Sequence, residues 1–179
     1  MLETDRAALL VIDIQGRLAT LMYRRESLFQ NVIRMVKGAR VLDVPVIWTE
    51  QLPDKLGPTA PEIAELLKEH RPVIKKAFSC CGDHGFLKEL QSLGRSQLLL
   101  TGIETHICVY QTAVDLLGSG YEVYLVQDAV SSRIEDNYNL GIERIRQAGA
   151  KITSVEMSLF EMLRVAEGDR FKRIIEIVK

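Results

Sequence analysis

Cys108 lies in Thr101-Gly-Ile-Glu-Thr-His-Ile-Cys108, just after an apolar run and at the head of a stretch with helical periodicity. At such a strand-to-helix junction the unpaired N–H groups and positive dipole end of the helix lower a thiol's pKa and favour the nucleophilic thiolate. Asp13 is flanked by Val11, Ile12 and Ile14, and a carboxylate so close to apolar surface persists when it is paired or hydrogen-bonded. Lys75 is a suitable partner. A thiol beside a cation, with a carboxylate that can accept the thiol proton and return it to a leaving amine, fits acyl transfer. Taken singly, each residue has a plainer use: Cys108 as a small core hydrophobe, Asp13 as a turn cap, and Lys75 and Lys76 as a solvated pair.

What must position these groups is a series of apolar, β-branched runs alternating with helical stretches, the pattern of a parallel sheet covered on both faces. The strands are predicted at Ala7 to Ile12, Pro45 to Thr49, Val73 to Ile74, Gln97 to Leu100, Glu122 to Val126 and Lys151 to Val155. The first long helix is predicted over Ser27 to Leu42, opening on a Ser27-x-x-Gln30 capping box and carrying Leu28, Val32, Val36 and Ala39 on one face. Later helices are predicted at Ala60 to Glu69, Gly85 to Ser92, His106 to Leu117, Asn137 to Gln147, Ser158 to Val165 and Arg170 to Val178. Gln51 to Pro61, with three prolines and a glycine, is the one long loop, and it is placed over the site. The fold class is therefore α/β: a doubly wound, Rossmann-like three-layer sandwich with a six-stranded parallel sheet, in a single domain over residues 1 to 179. In open sheets of this kind the ligand crevice lies outside the carboxyl ends of the strands, where the strand order reverses. Asp13 follows the first strand, Glu50 and Gln51 the second, Lys75 the third and Cys108 the fourth, so an acid, a cation and a thiol emerge at one edge.

The bulk properties narrow the partners. The 179 residues are 47% hydrophobic and 26% charged, with a formal net charge of −1. Lysine and arginine are interspersed with acids, which argues against nucleic-acid and membrane-surface partners and for a small-molecule substrate. The odd cysteine count, with Cys80 and Cys81 adjacent and no C-x-x-C pair, and an N-terminus without a signal-peptide pattern point to a reducing, cytoplasmic setting. No apolar run approaches the roughly 20 residues of a membrane-spanning helix.

The motifs Val11-Ile12-Asp13-Ile14-Gln15, Lys75-Lys76-Ala77-Phe78-Ser79 and Gly102-Ile103-Glu104-Thr105-His106-Ile107-Cys108-Val109 occur in this order. In them the chain resembles the isochorismatase-like cysteine hydrolases over essentially its whole length. Thr49 to Pro53, Leu56 to Thr59, Ser158 to Met162 and Arg170 to Lys172 resemble a small-domain branch whose members often lack an assigned substrate. The resemblance implies a catalytic triad of Asp13, Lys75 and Cys108, in which the cysteine attacks the carbonyl carbon of an amide or carbamoyl group. Asp13 would shuttle the proton, and Lys75 would hold the charged pair together. It also implies a cis peptide between Ile103 and Glu104, which would aim the backbone N–H of Glu104, with that of Cys108, at the oxyanion of a tetrahedral intermediate. A substrate pocket is assigned to Gln15, Glu50, Gln51, Phe78 and Thr105.

Two departures shape the expectation. The nicotinamidase branch binds a metal through an aspartate and histidines after the second strand, where this chain has Glu50, Gln51 and Leu52, with His70, His84 and His106 far apart. No metal and no cofactor are therefore expected. Isochorismatases proper cleave a vinyl ether and carry glycine where this chain has Cys108, so the thiol argues for hydrolysis of a small amide, ureido or carbamoyl compound. A vinyl-ether hydrolase using Asp13 alone and a catalytically idle binding or assembly module are the competing readings. The resemblance also implies a homo-oligomer, and Leu159, Phe160, Met162, Leu163, Phe171, Ile174, Ile175 and Ile177 give the C-terminal segment an apolar surface compatible with one. Cys80, Cys81, Trp48, Tyr110 and His106 are read as structural or interface residues.

Overall fold

Strand β1 (Ala7–Ile12) is apolar at every position because both of its faces are covered. Leu9 and Val11 point into one cluster of buried side chains, and Ala8, Leu10 and Ile12 into another. The computed structural model describes residues 1–179. Five further strands complete an all-parallel sheet with β1: β2 (Val46–Gln51), β3 (Val73–Lys75), β4 (Gln97–Ile103), β5 (Glu122–Ser131) and β6 (Lys151–Thr153). Their order is β3-β2-β1-β4-β5-β6. The chain winds outward from β1 in one direction and from β4 in the other, so the sheet is doubly wound and its switch point lies between those two strands.

The helices are α1 (Gly16–Thr20), α2 (Arg25–Val41), α3 (Pro53–Leu56), α4 (Pro61–Leu67), α5 (His84–Leu93), α6 (Tyr110–Gly118), α7 (Glu135–Gln147), α8 (Val155–Leu163) and α9 (Gly168–Val178). α2, α4, α8 and α9 bury side chains in the cluster that holds Leu9 and Val11, and α5, α6 and α7 in the one that holds Leu10 and Ile12. This is the α/β three-layer sandwich that the alternating runs predict. No helix is long and apolar enough to cross a membrane.

Several boundaries differ from the sequence reading, each for a physical reason. The predicted Ser27 capping box is absent: α2 begins two residues earlier, and its N-cap, Arg24, has a left-handed backbone (φ 49°) and no side-chain cap. A tertiary bond overrides the local signal, because the Tyr23 N–H donates to the Ser132 carbonyl (2.8 Å) and fixes the chain's entry. β5 runs five residues past the predicted Val126, and its interior Asp128 accepts the Val155 N–H (2.9 Å), which gives that acid a partner. β6 stops at Thr153, and Ser154 caps α8 by accepting from the Met157 N–H. The Gln51 to Pro61 segment is not an open loop. It contains α3 and an antiparallel bridge between Gln15 and Thr59. The C-terminal apolar residues pack largely within the chain itself: Leu159, Met162 and Ile174 are core, with Phe160, Leu163 and Ile177 against it.

Candidate active site

Asp13, Lys75 and Cys108 lie just beyond or at the ends of β1, β3 and β4, and the sheet order gathers them at the switch point. Asp13 leaves β1 in the left-handed region (φ 52°), a conformation that aspartate tolerates better than most residues. Its Oδ1 accepts the Thr49 hydroxyl proton (2.7 Å), and its Oδ2 lies 2.6 Å from Lys75 Nζ. This contact is an enclosed ion pair. Lys75 is sealed from solvent, and its remaining donors go to the carbonyls of Ala77 and Phe78, both at 3.0 Å. A buried ammonium with three acceptors around it is held in position.

Cys108 sits in a π-helical turn (Thr105–Val109) that leads into α6. Close approach of β4 to β1 brings it beside Asp13, and Gly102 permits that approach: at φ 116°, a Cβ there would stand 2.0 Å from the Ile12 carbonyl oxygen. The peptide bond between Ile103 and Glu104 is cis. The S–H donates to Gln51 Oε1 at 3.4 Å, and the Asp13 carboxylate lines the same cavity as the thiol.

The thiol's acidity runs against the sequence expectation. Burial first, and the Asp13 charge second, push Cys108 up to about 12, while Lys75 pulls it down by less. The resting group is therefore a thiol. A carboxylate in the same cavity can take its proton as sulfur attacks, which needs no standing thiolate. Cys80, fully enclosed, is pushed up to about 12 by burial, and the half-buried Cys81 to about 11.

A cavity of about 360 Å³ opens over the thiol. Of the five residues assigned to it from sequence, Gln15, Gln51 and Phe78 line it, together with Asp13, Glu104 and Cys108. Gln15 works as a clamp: its Oε1 accepts the Gln51 N–H (2.6 Å), and its Nε2 donates to the carbonyls of Gln51 (3.2 Å) and Gly57 (2.8 Å). Glu50 and Thr105 do not line the cavity. Glu50 points away, with Oε1 accepting both the N–H and the hydroxyl of Thr59 (2.6 and 2.7 Å), and Thr105 is enclosed in the π turn without a hydrogen-bond partner.

Sequence reasoning missed Leu18, Leu52, Lys55, Leu56, Ile107 and Arg133, which complete the wall with Ile103. Arg133 had a findable signal, since it closely follows a strand, but only if β5 is read to its full length. A larger hollow of about 510 Å³ lies between α2 and α9 and is lined by Arg34, Lys37, Arg40 and Arg173 among others. It holds no thiol and no buried carboxylate, so the smaller cavity is the candidate site. The chain offers no cluster of three His, Cys, Asp or Glu side chains suited to a metal ion. His106 instead pairs through Nδ1 with Ser132 Oγ (2.9 Å).

The model of the isochorismatase domain matches residues 7–157, which include every residue of the site. The chain belongs to the isochorismatase family. Members of this family are hydrolases. The chain is similar to isochorismatase domain-containing protein 2A of Mus musculus, 39% identical over 178 residues that cover 98% of this chain and 84% of that one. Among solved structures it resembles the MAR1 ribonuclease from Caenorhabditis elegans, with a TM-score of 0.92, 32% identity and coverage of 99% and 91%. It also resembles YcaC from Pseudomonas aeruginosa, whose structure is described with hexane-2,5-diol and covalent acrylamide, with a TM-score of 0.91, 26% identity and coverage of 98% and 90%.

Proposed function

We propose that this isochorismatase-family chain is a cysteine-dependent hydrolase of a small amide, ureido or carbamoyl compound. The observation that carries the reading is the enclosed Asp13–Lys75 ion pair beside the Cys108 thiol on the floor of a small, largely apolar cavity. Sulfur attacks the carbonyl carbon while the S–H proton passes to Asp13, forming a C–S bond and an oxyanion. The backbone N–H groups of Glu104 and Cys108 receive that oxyanion, an effect worth about 2.7–4 kcal/mol per donor in comparable sites. Collapse breaks the C–N bond, and Asp13 returns its proton to the departing nitrogen. Water then attacks the thioester, gives a proton to Asp13, and releases the acid together with the thiol. Lys75 holds the Asp13 carboxyl group in place throughout.

The donor set supports a reaction without a metal ion or cofactor, since the acid near the end of β2, Glu50, is engaged by Thr59 and the histidines stand apart. The covalent acrylamide described for YcaC is an electrophile that bears an amide, which suits a site of this kind. The C. elegans relative is named a ribonuclease. A cavity of about 360 Å³ with mainly apolar walls fits a small molecule better than a phosphodiester chain. A homo-oligomer belongs to the proposal too, with Ile134 and Leu140 exposed at the start of α7 as candidate contacts. The test is a hydrolysis screen over small amides, ureido acids, carbamoyl compounds and RNA, with the Cys108→Ala protein as control. Turnover of a C–N substrate that vanishes in the variant is expected, whereas turnover of RNA alone, or turnover that survives the substitution, would contradict the reading.

A further inference from the structure

The hollow of about 510 Å³ between α2 and α9 collects four cations, Arg34, Lys37, Arg40 and Arg173, against one acid, Glu176. The chain as a whole carries a net charge of −1 and intersperses its charges, so this concentration is a local departure. Arg34, Lys37 and Arg40 recur at every third residue of α2, which sets like charges side by side on one helix face and destabilises the helix. The other cations of α9 are treated differently. Arg170 pairs with Asp43 and Lys172 with Asp169, whereas Arg173, the one that lines the hollow, pairs with no acid.

Arg40 has uses of its own. It stands in the last turn of α2, where the helix dipole favours a cation, and it lies 3.8 Å from Glu69. Neither use extends to the other three. Arg34 donates to the neutral side chain of Asn31 (3.3 Å), and Arg34, Lys37, Arg173 and Glu176 take part in none of the chain's ion pairs. Three unpaired cations less one unpaired acid leave two positive charges in excess. The donors come from two helices and comprise two guanidinium forks and one ammonium. A planar carboxylate engages one fork, whereas a tetrahedral phosphoryl group presents three oxygens that donors from several directions can share. Two linked phosphoryl groups also carry enough charge to balance the excess.

We propose that this hollow binds a small molecule bearing two phosphoryl groups, with Arg34, Lys37 and Arg173 as its charge contacts. Ile33, Val41 and Ile177 give the site an apolar floor for the body of the ligand. Its volume falls within the range of about 300–1,000 Å³ usual for small-molecule sites, which favours a compact ligand over a long polyanion. The hollow shares no lining residue with the thiol cavity, so the proposal stands apart from the hydrolase reading.

The test is calorimetric titration of the whole protein, at about 0.15 M salt, with inorganic pyrophosphate, adenosine diphosphate and a hexose bisphosphate, and with sulfate, citrate and a short single-stranded RNA as controls. At least one of the three phosphate ligands should bind about tenfold or more tighter than sulfate or citrate. Lys37→Gln combined with Arg173→Gln should weaken that binding about tenfold or more, and Glu176→Gln, which removes the opposing acid, should tighten it. Arg170→Gln combined with Lys172→Gln removes two cations of α9 that lie outside the hollow and should change the affinity less than about twofold. The opposite signs expected at Lys37 with Arg173 and at Glu176 separate a charge site from a general loss of structure. Tightest binding of adenosine diphosphate would assign the floor to a nucleoside, and tightest binding of the bisphosphate to a sugar; preference for pyrophosphate would show that the phosphoryl groups alone are read, and each supports the site. No binding of any phosphate ligand, equal binding of citrate, binding of RNA alone, or losses in the control pair equal to those at Lys37 and Arg173 would each overturn the proposal.

Discussion

Lys75 Nζ stands 2.6 Å from Asp13 Oδ2, and neither side chain is more than 5% exposed. Removing one member of such a pair leaves an uncompensated buried charge, which typically costs about 3–5 kcal/mol. Lys75→Met should therefore lower the unfolding free energy by that order in urea titration, as well as abolishing turnover. The adjacent Lys76 is exposed, and Lys76→Met should stay within about 0.5 kcal/mol of the parent. Comparable losses for the two variants would show that the ion pair does not anchor the site.

The thiols give a pH prediction. Cys80 and Cys108 are raised from the ordinary 9.0 to about 12, and Cys81 to about 11. Between pH 9 and about 12 the unfolded chain therefore binds fewer thiol protons than the folded one, so these groups contribute stability that is full below pH 9 and is lost as pH rises through the folded values. Thiolate absorbance of the folded protein should be absent at neutral pH and appear only in the strongly alkaline range. A step near neutrality that disappears in Cys108→Ala would contradict the acidity assigned to this thiol.

Gly102 is the hinge of the geometry. Alanine there must accept φ 116° and a 2.0 Å approach to the Ile12 carbonyl, so Gly102→Ala should cost more than about 1 kcal/mol. Because β4 would have to move from β1, displacing Cys108 from Asp13, turnover should fall by about 10²-fold or more even where the protein stays folded. Urea titration and a rate measurement under folded conditions check the two parts. Full activity in a stable variant would separate the glycine from the site.

Glu50 offers the opposite case, a buried acid next to the site that holds a loop. Its two bonds from Thr59 tie the segment after α3 to the end of β2. Hydrogen bonds to a charged group contribute about 1.5–3 kcal/mol each, so Glu50→Ala should lower the midpoint of thermal unfolding and speed proteolysis within Gln51 to Pro61. Glu50→Gln keeps an acceptor oxygen and should retain turnover. Loss of turnover in Glu50→Gln at unchanged stability would return this residue to the chemistry.

Asp13, Lys75 and Cys108 were legible in the sequence because each follows or ends an apolar run, and the rule that ligands gather beyond the carboxyl ends of strands needs little more than those runs. Arg133 was not. The polar pair Gln127 and Asp128 ends the apolar pattern of β5 early, and what keeps Asp128 in the strand is a bond to Val155, 27 residues away. The same limit hid the direction of Glu50, which depends on Thr59 folding back, and the start of α2, which depends on Tyr23 meeting Ser132. The acidity of Cys108 was misjudged because helix position is a local property and depth of burial is not.

The central claim is that Cys108 carries the acyl group. Rapid quenching of the parent protein with a turned-over amide or ureido acid, followed by intact-mass and peptide mapping, tests it most directly. The account predicts an added acyl mass on Cys108 during turnover, removable by hydroxylamine, with no adduct on Cys80 or Cys81 and no turnover in Cys108→Ala. Hydrolysis that proceeds without any adduct and persists in Cys108→Ala would contradict it and transfer the chemistry to Asp13 alone.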